Sequence, residues 1–120
     1  MATILVIDDE EPIRALLRRA LEGAGHEVLE ASNGRRGLSL YRARAADLII
    51  TDIVMTEIDG LELMLDLSCN FLNVKVIAIS GGLEGEALLH VAKLLGARQT
   101  FHKPLDMETV LSAVRDELAH

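Results

Sequence analysis

The sequence predicts an α/β protein: one open, parallel, five-stranded sheet with helices on both faces. Three observations carry that expectation. Five short apolar runs alternate strictly with five amphipathic stretches, the connections between them are short, and the first run, Ile4-Leu5-Val6-Ile7, is unbroken. An unbroken β-branched run marks a strand covered on both sides, and strict alternation implies right-handed crossovers between parallel strands. With 120 residues the chain fits a single domain, 1–120, large enough to bury an aliphatic core.

The elements follow in order. Strand one stops at Asp8-Asp9-Glu10-Glu11, and Pro12 suits the first turn of a helix because its missing N–H would be unpaired there. Ile13, Leu16, Leu17, Ala20, Leu21 and Ala24 then recur at helical spacing opposite Arg14, Arg18 and Glu22, and Gly23 and Gly25 end the helix. Glu27 to Ala31 forms strand two, interrupted by Glu30 as an edge strand would be. Asn33-Gly34 signals a turn, followed by a weak helix from Leu38 to Ala45 after Gly37, a residue that costs a helix up to about 1 kcal/mol against Ala. Leu48-Ile49-Ile50-Thr51-Asp52 is the central strand. A loop through Met55, Thr56, Glu57 and Asp59 leads to Gly60 and an apolar helix carrying Leu61, Met64, Leu65 and Leu67. Val74 to Ile79 is strand four, closing on Ser80-Gly81-Gly82. Leu88, Val91, Ala92 and Leu95 give the next helix its buried stripe, with Leu89 and Leu94 at its edges and His90 and Lys93 on the wet side. Gln99-Thr100-Phe101 is the last strand, broken by Lys103-Pro104, and Asp106 caps a final helix that turns Met107, Val110, Leu111, Val114 and Leu118 inward.

In such sheets chemistry collects beyond the carboxyl ends of the strands, where the strand order reverses. For the order 2-1-3-4-5 that point lies between strands one and three. Asp8, Asp9, Asp52, Ser80 and Lys103 all stand at those ends. Each alone reads as a cap, a turn or an exposed loop; their coincidence at all four central strand ends carries the inference. Three carboxylates packed together repel one another unless a cation sits among them. With Lys103 the cluster carries −3 + 1 = −2, a charge that a divalent ion balances, and a few open oxygen ligands suit Mg²⁺. These are the parts of phosphoryl transfer: Asp52 as nucleophile, Asp8 and Asp9 as metal ligands, Ser80 as donor to a phosphoryl oxygen and Lys103 as its counter-ion.

Over essentially its whole length the chain resembles the receiver domains of two-component response regulators. The matching motifs are Ile-Leu-Val-Ile-Asp-Asp-Glu-Glu-Pro at the start, Asp52 through Met55 to Gly60, Ser80 after the fourth strand, and Lys103-Pro104. The resemblance implies a flavodoxin-like fold in which Asp52 receives phosphate from a histidine kinase, a phosphotransfer protein or a small phosphodonor. It also implies Mg²⁺ held by Asp9, Asp52, a water-bridged Asp8 and the backbone carbonyl of Val54, a cis Lys103–Pro104 peptide, and output through the surface of helix four, strand five and helix five. Leu89, Leu94, His90, Lys93 and Thr100 are the candidate output residues, read by a partner protein or by homodimer formation. Two departures stand out. Thr56 replaces a usual Pro, and Thr100 stands where the family carries an aromatic switch, leaving Ser80 to couple through Thr100 or through the Gly81-Gly82 loop, while Phe101 points into the core. Val54 and Gly82 occupy the positions that set self-dephosphorylation in similar domains; neither can orient a water, so slow loss of phosphate is expected.

Composition narrows the alternatives. A net charge of 12 − 19 = −7 disfavours nucleic acid, whose binding needs clustered Lys and Arg. The single Cys69, read as a partly buried side chain near a helix end, forms no internal disulfide. With no signal peptide or long uncharged apolar span, it points to the cytoplasm and away from a membrane. The four histidines lack zinc-ligand spacing. The last five residues, Asp116 to His120, read as a helix running to its finish, which as an expectation favours a stand-alone protein over a receiver excised from a larger regulator, without deciding between them. A phosphate-independent interaction module on the same fold would be expected to have lost acids or the Lys. An aspartyl phosphatase would need a second carboxylate where Val54 stands.

Overall fold

Residues 2–53, 60–70, 73–82 and 84–119 are described by a computed structural model. Strands β1 (Thr3–Ile7), β2 (Glu27–Ala31), β3 (Leu48–Asp52), β4 (Val76–Ser80) and β5 (Gln99–His102) pair in parallel in the order β2-β1-β3-β4-β5, the flavodoxin-like arrangement. Five helices connect and follow them: α1 (Glu11–Gly23), α2 (Gly34–Ala43), α3 (Gly60–Asn70), α4 (Gly85–Leu94) and α5 (Met107–Leu118). The apolar runs alternate between two cores. Leu5, Ile7, Ile49 and Ala78 face α2, α3 and α4, whereas Ile4, Val6, Ile50 and Ile77 face α1 and α5. β3 and β4 are buried along their whole length, which is why their sequences show no polar alternation. Among the described residues no helix is long and apolar enough to cross a membrane.

Several local expectations are corrected. Asn33 is the N-cap of α2, its side chain accepting from the Arg36 N–H at 2.9 Å, so this helix starts four residues before Leu38. Asn-Gly serves a turn or a cap equally well, and the cap formed. β4 starts two residues after Val74 and ends one residue after Ile79, so it includes Ser80. On α1, Leu17 and Leu21 are buried but Leu16 is 41% exposed. On α4 the buried face is Gly85, Leu89 and Ala92, so Leu89 leaves the candidate output surface and Val91 leaves the core stripe. That helix is apolar nearly all round, and hydrophobic spacing alone does not choose its face. Cys69 is exposed at the end of α3. Asp106 caps α5 as expected, accepting from the Glu108 N–H.

Gly37 explains itself in packing. A Cβ there would lie 2.3 Å from Cδ1 and 2.8 Å from Cγ1 of the fully buried Ile7, so the missing side chain is what lets α2 lie against β1. Gly37→Ala gains up to about 1 kcal/mol of helix propensity but must drive Ile7 off its rotamer, an overpacking of about 1–3 kcal/mol. A net destabilisation of about 1 kcal/mol is expected from these terms; a urea midpoint above that of the wild type would contradict it.

Candidate functional site

The sheet register brings four strand ends level. Ile7 lies opposite Thr51, Asp52 opposite Ile79, and Ser80 opposite His102, so Asp8, Asp52, Ser80 and Lys103 converge at one edge. Backbone bonds fix the residues just outside the strands: Asp8 N–H donates to the Ala31 carbonyl at 3.1 Å, and Lys103 N–H to the Ser80 carbonyl at 2.7 Å. The Lys103–Pro104 peptide is cis.

Lys103 is the hub. Its Nζ lies 3.0 Å from Asp8 Oδ2, 2.7 Å from Glu10 Oε2 and 2.9 Å from Asp52 Oδ2. Asp8 is fully buried and Asp52 nearly so, while Glu10 reaches in from solvent. Burial pushes the Asp8 carboxyl above its ordinary range, against the lowering effect of the Glu10 N–H bond and Lys103. Burial also acts to lower Lys103, but the three carboxylates outweigh it and hold the ammonium well above its usual value. Ser80 Oγ is fully buried and has no hydrogen-bond partner among the described residues. A buried hydroxyl without a partner is costly, so a residue kept in that state is a candidate for binding something else.

Carboxylate oxygens of Asp8, Glu10 and Asp52 all lie within 4.8 Å of one another. With Lys103 the group carries −3 + 1 = −2. Oxygen donors with that residual charge, opening on a cleft of about 410 Å³ lined by Asp9, Glu10, Asp52, Gly81, Gly82 and Lys103, fit a hard divalent cation such as Mg²⁺. A larger cavity, about 640 Å³, lies among Ala2, His26, Asp47, Lys75 and Arg115, remote from this cluster.

Asp9 is exposed and lines the cleft without joining the three clustered carboxylates. Val54 lies outside the described residues. Glu10 is the site residue that residue types alone did not single out. Asp8 Oδ1 accepts the Glu10 N–H at 2.8 Å, and this tight Asx-type turn brings Glu10 back toward Lys103. An Asp with an acid two residues on, at a strand end, was the available signal. His102 was also missed. Its ring nitrogens lie 2.6 Å from the Lys103 carbonyl and 3.1 Å from the Gly82 carbonyl, with Gly85 leaving room for the ring.

A family model for the response regulator receiver domain matches residues 4–115. The chain belongs to that family. Sporulation initiation phosphotransferase F of Bacillus subtilis is 30% identical over 115 residues, covering 96% of this chain and 92% of that protein. Protein PilH of Pseudomonas aeruginosa is 33% identical over 123 residues, 99% of each. Among solved structures, a response regulator receiver domain protein from Clostridium thermocellum superposes with a TM-score of 0.91 at 28% identity, covering 99% of this receiver and 95% of that chain. Chemotaxis protein CheY4 of Vibrio cholerae matches with a TM-score of 0.86 at 26% identity, covering 97% and 98%.

Proposed function

We propose that this receiver is a phosphoacceptor switch: Asp52 takes a phosphoryl group from a histidine kinase, a phosphotransfer protein or a small phosphodonor. The observation that carries the reading is the Lys103 ammonium, clamped among Asp8, Glu10 and Asp52 beside a buried Ser80 hydroxyl that has no partner among the described residues. An Asp52 carboxylate oxygen attacks phosphorus in line; the phosphorus bond to the donor breaks, and its electron pair leaves with the donor. Lys103 exchanges a carboxylate for a phosphoryl oxygen, and Ser80 Oγ donates to another. Asp8, Asp52 and the Val54 carbonyl, with Asp9 or Glu10, would hold Mg²⁺, which when bound neutralises charge on the transferring group.

The output reading rests on the exposed side of α4. Leu94 is 75% exposed beside exposed His90, Val91 and Lys93, an apolar and basic face for a partner protein or a second copy. His102 ties the loop after Ser80 to the backbone of Lys103, which favours the Gly81-Gly82 loop over the half-buried Thr100 as the route from site to surface. Slow self-dephosphorylation and a cytoplasmic location belong to the same proposal.

Intact-mass spectrometry after incubation with acetyl phosphate tests it. A gain of one phosphate that requires Mg²⁺ and vanishes in Asp52→Asn is expected, with slow decay once donor is removed. A wild type that neither binds Mg²⁺ nor gains phosphate from any donor or kinase would instead support the phosphate-independent module.

A further inference from the structure

We infer that Arg14 is a positioning residue for the acidic cluster, oriented by Glu30 on the edge strand; the inference rests on the metal-binding reading of that site. Arg14 projects from α1 with its side chain only 17% exposed and makes two contacts in different directions. One guanidinium nitrogen donates to the backbone carbonyl of Asp8 at 2.7 Å, and Nε donates to Glu30 Oε1 at 3.3 Å. Arg18 pairs with the other oxygen of Glu30 and also with Glu22, so the Glu30 carboxylate is held from both sides.

The Asp8 carbonyl belongs to the residue whose side chain closes the turn that carries the site's acids. On the other side of the same residue, Oδ1 accepts the Glu10 N–H and Oδ2 meets Lys103. A chain of contacts therefore runs from β2 through α1 to the metal-facing carboxylates: Glu30, Arg14, the Asp8 carbonyl, then the Asp8 and Glu10 side chains. The planar guanidinium serves both ends at once, which a Lys ammonium, a compact point charge, does not reproduce. This also gives Glu30 a use beyond edge polarity. Groups that orient metal ligands typically change affinity by about 10–100-fold when removed.

Electrostatics alone predicts the opposite sign. Removing a cation near the acidic cluster would strengthen Mg²⁺ binding, whereas loss of a positioning contact weakens it. The test follows amide resonances of the full chain during Mg²⁺ titration, with thermal melting measured in parallel. Arg14→Gln is expected to raise the Mg²⁺ dissociation constant about tenfold. Arg14→Lys, which keeps the charge and is the milder change for folding, should also raise it. Adding Glu30→Gln to Arg14→Gln should do little more, because the two act as a unit. Lower melting temperatures with unchanged or tighter Mg²⁺ binding in both Arg14 variants would overturn the inference and leave Arg14 a structural residue. A wild type that shows no saturable Mg²⁺ response would overturn the metal reading itself, and this inference with it.

Discussion

Lys103→Ala is expected to destabilise the fold by about 3 kcal/mol at neutral pH and, in the same variant, to tighten Mg²⁺ binding. The ammonium is the common partner of Asp8, Glu10 and Asp52, and two of these are almost wholly removed from water. Without it, two buried carboxylates face one another and one must take up a proton or the site must open. The loss therefore shrinks as the solution is acidified through the carboxylate range. It also shrinks with Mg²⁺, which binds the folded form and now meets no competing cation. The alkaline side gives an independent check. Because Lys103 is raised in the folded chain, its contribution is fully present below its ordinary value of 10.5 and is lost as pH rises above that through the folded value. Urea titrations of wild type and variant at neutral, mildly acidic and alkaline pH, each with and without Mg²⁺, read all three effects. Equal stability at neutral pH, or weaker Mg²⁺ binding in the variant, would show that Lys103 is not the cation holding this cluster together.

What could be read in the sequence, and what could not, divides along physical lines. The sheet was legible because strands buried on both faces leave unbroken runs such as Ile4 to Ile7, and alternation with helices admits few topologies. The convergence of Asp8, Asp52, Ser80 and Lys103 was legible for the same reason, since a parallel sheet gathers the carboxyl ends of its strands at one edge. The face of α4 was not. Leu88, Leu89, Val91, Leu94 and Leu95 satisfy more than one stripe, and the face the fold buries carries Gly85, which lies against His102, with Leu89 and Ala92. Glu10 was hidden because its place depends on the direction of one turn, set by a side-chain bond to its own N–H. Arg14 was hidden more deeply: its partner at the site is a backbone carbonyl, and a contact of that kind leaves no trace in residue types.

Asp8→Asn is expected to move stability and metal binding in opposite directions. Burial holds the Asp8 carboxyl above its ordinary value of 3.8, so the folded chain keeps that proton more tightly than the unfolded chain does. The contribution of this group is full below 3.8 and is lost as pH rises through the raised folded value, so at neutral pH the charged Asp8 is a net burden on the fold. Asn removes the charge while keeping an oxygen to accept the Glu10 N–H. Its amide nitrogen replaces Oδ2, 3.0 Å from Lys103 Nζ, so the ammonium must draw back from this donor while it retains Glu10 and Asp52, and no cation is orphaned. A gain of about 1 kcal/mol at neutral pH is expected, the usual size for relieving strain at a functional site. On the proposed Mg²⁺ reading the dissociation constant should rise on the order of tenfold or more, because one carboxylate oxygen and the charge of Asp8 are lost from the cluster together. Urea midpoints measured between mildly acidic and neutral pH should fall with rising pH in the wild type and flatten in the variant. A variant less stable than the wild type at neutral pH would mean that the bond to Lys103 outweighs the burial of Asp8, and that the fold rather than the ligand requires this carboxylate.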